Sequence, residues 1–281
     1  MPATATVRTP DERALMPSVG WNRVVWSLSE NWSDRGDNWT FHAEACGQPY
    51  DRWKQSVVER LLRPHLTRDV DVAEIGPGHG RWTEYILGEA RTAALIDVST
   101  SCIRACRERF GEREDVSYIV NDGRSLPLDD HSIDLIWSFA GFVHIEPEDI
   151  EAYMAEFRRV LRPTGRFLIH HAGWWAAGDR ARDPGASRSK MSAERFSAIT
   201  HAHGLQVERQ FRRWGDRLEF GLAFGDLITV GSNPVASDPR VPTSAPRPKV
   251  AVGQPAIPRA LRGGRRPPTS SHVSSPATSA P

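Results

Sequence analysis

Alternating glycines, strand-end acids and three histidines carry the chemistry available to this chain. Between Val70 and Thr83 an apolar run ends in Glu74 and passes into Gly76, Gly78 and Gly80, each one residue apart. Glycine accepts positive φ and occupies no side-chain space, so such a loop lets backbone come close to a ligand. A dinucleotide fingerprint would need its third glycine at position 81, which is Arg81 here. An acid ahead of the loop repels a diphosphate and suits a ligand bearing an ammonium and a sulfonium. Histidine titrates near neutrality and can take the proton of a hydroxyl. His144 follows Phe139-Ala140-Gly141-Phe142-Val143, and His170 and His171 close the apolar run Phe167-Leu168-Ile169. Alternation along a strand turns only one of that adjacent pair toward a cleft. The order of preference for a base is His144, then His171, then His170. His201 and His203 sit near a helix end and take no site role.

Two further acids stand where a nucleoside would need them. Ala93-Ala94-Leu95-Ile96-Asp97 reads as a strand that ends in a ribose ligand, and Val116 to Val120 leads into Asn121-Asp122-Gly123, where Asp122 could accept from an adenine amino group. Any one of these would read as a turn residue on its own. Three strand ends in register, with the charge pattern of the loop, point to S-adenosylmethionine. The expected cofactor set is Glu74, Gly76, Gly78, Gly80, Asp97, Asp122, Gly123 and Ser138. His170 and His171 with Asp122 could be imagined around a metal, but Asp122 is taken by adenine and no other carboxylate cluster remains, so no metal is expected.

The elements that must position these groups alternate. Helices are expected over Asp51 to Leu62, Arg81 to Leu87, Ser99 to Phe110 with Ser99 as cap, Glu146 to Leu161, and Ser192 to His203 closed by Gly204. Strands are expected at Val70 to Ile75, Ala93 to Asp97, Val116 to Val120, Ile133 to Ser138, Phe167 to His171, Leu205 to Gln210 and Leu227 to Val230. This order predicts an α/β fold with a doubly wound, mainly parallel sheet whose ligands sit at the carboxyl ends of its strands.

Composition bounds the rest. The chain has 281 residues, 39% of them apolar, and no apolar run long enough to span a bilayer. Met1 to Leu15 lacks the apolar core of a secretory signal, which makes the cytoplasm the expected location. Cys46, Cys102 and Cys106 are odd in number and lack a Cys-x-x-Cys spacing, which argues against a disulfide framework and structural zinc. From Asn233 onward seven basic residues face one acid, with eleven of the 21 prolines, and the remainder carries −5. A negatively charged body is poorly suited to gripping nucleic acid. The tail cannot bury enough apolar surface to fold. Three regions follow: a Trp-rich segment at 1–50, a cofactor-binding domain at 51–231, and a disordered Pro/Ser/Arg-rich tail at 232–281. Trp21, Trp26, Trp32, Trp39 and Trp53 are half of the ten tryptophans and could line an acceptor cleft or pin a lid on the sheet. Ala172 to Lys190, with Gly178, Gly185 and several arginines, is long enough for a flap.

From about residue 50 to 230 the chain resembles the class I S-adenosylmethionine-dependent methyltransferases. Glu74 to Gly80, Asp97, Asp122-Gly123, Ile133 to Ser138 and Leu161-Arg162-Pro163-Thr164-Gly165 carry the likeness. It implies a Rossmann-like, seven-stranded sheet and S-adenosylmethionine as cofactor. It also implies that Phe139 to His144 runs beside the methionine part of the cofactor, with His144 near the acceptor. Thr164 departs from the usual Pro-Gly-Gly turn. The expected reaction is O-methylation of a sugar, glycan or other small hydroxylated metabolite by in-line displacement with a histidine base. RNA or protein methylation, or a cofactor-binding module without turnover, are the alternatives. The oligomeric state is open.

Overall fold

In the computed structural model of the chain, residues 17–28, 31–37, 39–173 and 187–235 are described. The expected tail beyond residue 235 and positions 174–186 of the expected flap lie outside them. The strands are β1 (Asp71–Ile75), β2 (Thr92–Asp97), β3 (Val116–Val120), β4 (Ile133–Ser138), β5 (Leu161–His171), β6 (Gln206–Phe211), β7 (Arg213–Trp214), β8 (Phe220–Gly221) and β9 (Leu227–Ser232). Seven form one sheet in the order β3-β2-β1-β4-β5-β9-β6, and β7 pairs with β8 in a small ribbon. Strands β3 to β5 along this order are parallel; β9 runs antiparallel to both of its neighbours. This is the mainly parallel Rossmann-like sheet that the alternation of elements predicts.

The helices are α1 (Val19–Val25), α2 (Phe41–Ala45), α3 (Tyr50–Val57), α4 (Thr83–Glu89), α5 (Thr100–Phe110), α6 (Pro147–Val160) and α7 (Ala193–Ala202). Local chemistry sets several ends. The Ser99 hydroxyl accepts from the Cys102 amide at 3.3 Å, and the Ser192 hydroxyl from the Arg195 amide at 3.2 Å. Pro147 opens α6, where its missing N–H has no partner to lose. The helix expected to run to Leu62 stays regular only to Val57 and continues as a wider π turn over Val58–Leu62. Strand β5 starts six residues before the expected Phe167, because the Leu161–Gly165 turn already pairs with β4. Thr164 sits there at φ 69, a strained place for a β-branched residue where glycine would be at ease.

Both faces of the sheet are buried. Val72, Leu95, Trp137 and Leu168 pack with Trp53, Val57, Leu61 and Ile86 on one face. Ala73, Ile96, Ile136 and Ile169 pack with Tyr153, Phe157 and Phe196 on the other. The period of two along each strand therefore assigns every strand-end polar residue to one face, and β5 sends His170 and His171 to opposite sides.

Candidate active site

At the carboxyl ends of β1, β2 and β4 lies a cavity of about 490 Å³, walled by Gly76, Gly78, Asp97, Gly123, Ala140 and His144 and closed by the rings of Trp21, Trp26, Trp32 and Trp39. This is the size of a cavity that encloses a small-molecule ligand. Gly76 and Gly78 hold φ values of 71 and 59, and a Cβ on Gly78 would collide with the Trp32 ring. The absence of side chains lets the loop backbone form part of the cavity wall, with the Trp32 ring packed directly on Gly78. Gly80 is a glycine for another reason: a Cβ there would stand 2.5 Å from the Phe110 ring, and the residue is not part of the cavity wall.

The acids divide. Asp97 lines the cavity, and its carboxylate accepts from the amides of Ser99 at 2.9 Å and Gly78 at 3.4 Å. Burial pushes its pKa up to about 6 against the pull of those amides. Glu74, expected to meet the cofactor directly, does not reach the wall. Its carboxylate turns behind the glycine loop and accepts from the Thr83 hydroxyl at 2.5 Å, tying β1 to the first residue of α4. Burial there raises its pKa to about 7, with nearby Asp97 adding to the rise. The alternation of β1 places position 74 on the side of α4, away from the ligand. Asp122, expected at the adenine, is exposed and caps its own turn, accepting from the amides of Arg124 at 2.9 Å and Ser125 at 2.7 Å. Gly123 reaches the wall where Asp122 does not. Ser138 is buried off the cavity, donating to the Ile75 carbonyl at 2.7 Å.

Arg81 was passed over in the sequence because it stood only for a missing glycine. It is buried in the cavity wall, and its Nη1 has no hydrogen-bond partner among the described residues. A buried guanidinium nitrogen without a partner calls for an anionic or carbonyl oxygen from a ligand.

Hydrogen-bond partners fix the proton of each histidine. The Nδ1 of His144 lies 2.7 Å from the Ser187 carbonyl, which can only accept, so Nδ1 carries the hydrogen and the neutral ring has its lone pair on Nε2. Burial and the charge of Arg188 lower the pKa to about 4, so the ring is neutral across the physiological range. Trp26 stands over it with ring centroids 4.8 Å apart, and the Asn22 side chain donates to the His144 carbonyl at 2.7 Å. Helix α1 is thereby pinned to the segment that bears the candidate base.

The adjacent pair reverses the expected order. His171 faces away from the cavity: Nδ1–H donates to the Ala172 carbonyl at 2.6 Å, Nε2 accepts from the Thr229 hydroxyl at 2.7 Å, and the ring stacks on Phe196 at 3.9 Å. Both nitrogens are occupied within the core on the far side of the sheet, so His171 has no lone pair to offer. His170 is the one that reaches the cavity. Its Nδ1 accepts from the Ala140 amide at 3.1 Å, which leaves the ring hydrogen on Nε2. Of the three candidates His144 and His170 line the cavity, and of these two His144 has its lone pair on the nitrogen that makes no bond to the backbone. Trp53, grouped in the sequence with the possible cleft aromatics, is fully buried and donates to the Gly221 carbonyl at 2.9 Å.

Comparisons with known proteins agree with this geometry. Residues 72–165 match a family described as methyltransferase domain. Squalestatin hexaketide synthase from Phoma sp. is 29% identical over 175 residues, a match covering 52% of this chain and 6% of that much longer protein. The ubiquinone/menaquinone biosynthesis C-methyltransferase of Methylobacterium nodulans is 26% identical over 189 residues, covering 53% of this chain and 74% of the enzyme. An S-adenosylmethionine-dependent methyltransferase from Mesorhizobium loti shares the fold with a TM-score of 0.51 at 15% identity, over 64% of this chain and 99% of that one. Among the described residues no helix is long and apolar enough to cross a membrane.

Proposed function

We propose that the chain is a class I S-adenosylmethionine-dependent methyltransferase that moves the methyl group to a hydroxyl oxygen of a sugar or other small molecule, with His144 as the base. The observation that carries this reading is the Nδ1–H bond from His144 to Ser187, which commits Nε2 to act as an acceptor at the cavity wall.

The residues present fit the cofactor. Gly76 and Gly78 contribute backbone to the cavity wall, Asp97 an acceptor for ribose hydroxyls, and Arg81 a buried Nη1 with no hydrogen-bond partner among the described residues, suited to the carboxylate of the methionine moiety. That last pairing takes over the recognition of the amino-acid end that the sequence assigned to Glu74. When bound, the cofactor supplies a methyl group on a sulfonium, open to in-line attack. The protein's own contribution is to hold an acceptor oxygen in line within an aromatic enclosure, a gain that positioning alone can make large. His144 Nε2 takes the hydroxyl proton as the oxygen becomes a nucleophile. The four tryptophans exclude water and offer flat faces to the C–H surface of a sugar or similar molecule. A cavity walled in this way favours a small acceptor over RNA or a folded protein.

Incubation with labelled S-adenosylmethionine and cell extract fractionated into small molecules, polysaccharide, RNA and protein tests the acceptor class. Label in the small-molecule or polysaccharide fraction, absent with His144→Phe, is the expected result; label confined to RNA or protein would contradict it.

A further inference from the structure

Three buried side chains cluster beside the cavity without a part in the account above; His42 and His170 line it and Asp226 lies behind them. They are His42 from α2, His170 from β5 and Asp226 from the loop before β9, with a ring nitrogen of each histidine and a carboxylate oxygen all within 4.8 Å of one another. Each is 2% exposed or less. Two histidines and a carboxylate at this spacing invite a metal, but the backbone forbids the protonation states a metal needs. The Ala223 amide donates to His42 Nδ1 at 2.9 Å, and the Ala140 amide donates to His170 Nδ1 at 3.1 Å. A nitrogen that accepts an N–H bears no hydrogen of its own, so each neutral ring keeps its proton on Nε2. Ligation through those nitrogens would demand an imidazolate from both rings, whereas a metal-bound histidine ordinarily donates its other nitrogen's hydrogen to an acceptor.

The remaining hydrogen-bond capacity is specific. His170 Nε2–H donates to Asp226 Oδ2 at 3.3 Å, and the same oxygen accepts from Arg188 at 2.5 Å. Of these three side chains, His42 Nε2–H and Asp226 Oδ1 have no hydrogen-bond partner among the described residues. A buried donor or acceptor left without a partner is unfavourable, so a matched pair beside a cavity points to a ligand group that completes it.

We infer that His42 and Asp226 form a binding subsite for a second hydroxyl of the methyl acceptor, an inference that rests on the reading of the chain as a methyltransferase acting on hydroxylated molecules. A hydroxyl accepts from His42 Nε2–H through its oxygen and donates its hydrogen to Asp226 Oδ1. One nitrogen of His42 and one oxygen of Asp226 lie within 4.8 Å of each other, close enough for a single hydroxyl to sit between the two side chains. A carboxylate or phosphate would only accept and would meet the carboxylate oxygen; an ammonium would only donate and would meet the imidazole N–H. Arg188 is paired with Asp226 and so offers no free cation to draw an anion to this carboxylate. The acceptor is therefore a polyol: one hydroxyl is held here and another is presented to His144.

The test uses the full chain with S-adenosylhomocysteine bound and follows the ring N–H signals of the histidines by NMR. The probes are methyl α-D-glucopyranoside and glycerol as neutral polyols, acetate as anion, and Zn²⁺. The expected result is a saturable shift of the His42 Nε2–H signal with a polyol. His42→Phe, which keeps a ring against Trp53, and Asp226→Asn should weaken polyol binding at least about ten-fold while retaining cofactor affinity. Preference for acetate or Zn²⁺ would overturn the assignment, as would a ring signal that no probe moves, which would mean that ordered water alone fills the place. The fractionation experiment fails independently: if no fraction gains label while the polyol response persists, the proposed reaction falls and the subsite stands.

Discussion

The two ends of the cavity are built from very different stretches of chain. The proposed cofactor end comes from consecutive strand ends between positions 75 and 123, and the far end joins residues 42, 144, 170 and 188, backed by residue 226, from five separate segments. At the first end, function is a matter of backbone shape and one carboxylate, which local sequence dictates. At the second, it depends on which nitrogen of each histidine carries a hydrogen, and amides remote in sequence decide that.

Substitutions at the two ends should therefore fail in different ways. The largest effect is expected for Gly78→Ala, which puts a side chain at positive φ and into the Trp32 ring; a combined penalty of about 2–4 kcal/mol corresponds to a loss in cofactor affinity of ~100-fold, measurable by calorimetry. Asp97→Asn removes the charge from the proposed ribose contact and should weaken the cofactor by ~10- to 50-fold without altering the fold. At the opposite end of the comparison, His171→Leu strands the Ala172 carbonyl and the Thr229 hydroxyl in the core. It should lower stability by about 2–3 kcal/mol in denaturant titrations and leave the transfer rate per folded molecule unchanged. Loss of transfer at full stability would mean that the two β5 histidines have been assigned to the wrong faces.

The smallest effect on affinity is expected at Glu74. Glu74→Gln should shift the cofactor dissociation constant by less than about three-fold, because the side chain meets Thr83 and not the cavity. Its influence should appear in stability instead. A carboxyl whose folded pKa is raised from 4.5 to about 7 binds more protons folded than unfolded, so wild-type stability of the cofactor-free protein falls as pH rises through that window. The glutamine variant should lack that slope and be relatively more stable above pH 7. A slope that persists unchanged would contradict the burial argument.

The contrast also explains what the sequence could convey. Strand and helix placement was legible because apolar periodicity and caps such as Ser99 and Ser192 are local signals. Asp97, Gly76 and Gly78 were legible for the same reason: a strand end and a positive-φ loop leave little choice of direction. Glu74 and Asp122 stand off the cavity wall because an acid at a strand end has two places to go. A helix hydroxyl in one case and a turn's own amides in the other took the carboxylate. Period two predicted that His170 and His171 would part, but the sense depends on which face β5 presents to the cavity, and that is set by its register with β4 and β9. His42 and Asp226 gave no signal at all, since only the folded chain brings α2, β5 and the β8–β9 loop together. Arg81 was visible as the residue that breaks the dinucleotide spacing, and its buried cation was the signal to follow.

The central claim is that His144 removes the proton of the methylated hydroxyl, and single-turnover transfer to an acceptor from the labelled fraction, at saturating S-adenosylmethionine, tests it most directly. With wild-type protein the rate should be level from pH 6 to 8, because the ring already holds its lone pair at every pH well above its pKa of about 4. His144→Phe should lower the rate by ~10²- to 10⁴-fold with cofactor affinity unchanged. A variant that transfers within about three-fold of wild type, or a wild-type rate that collapses as pH falls through the ordinary histidine range, would contradict the account.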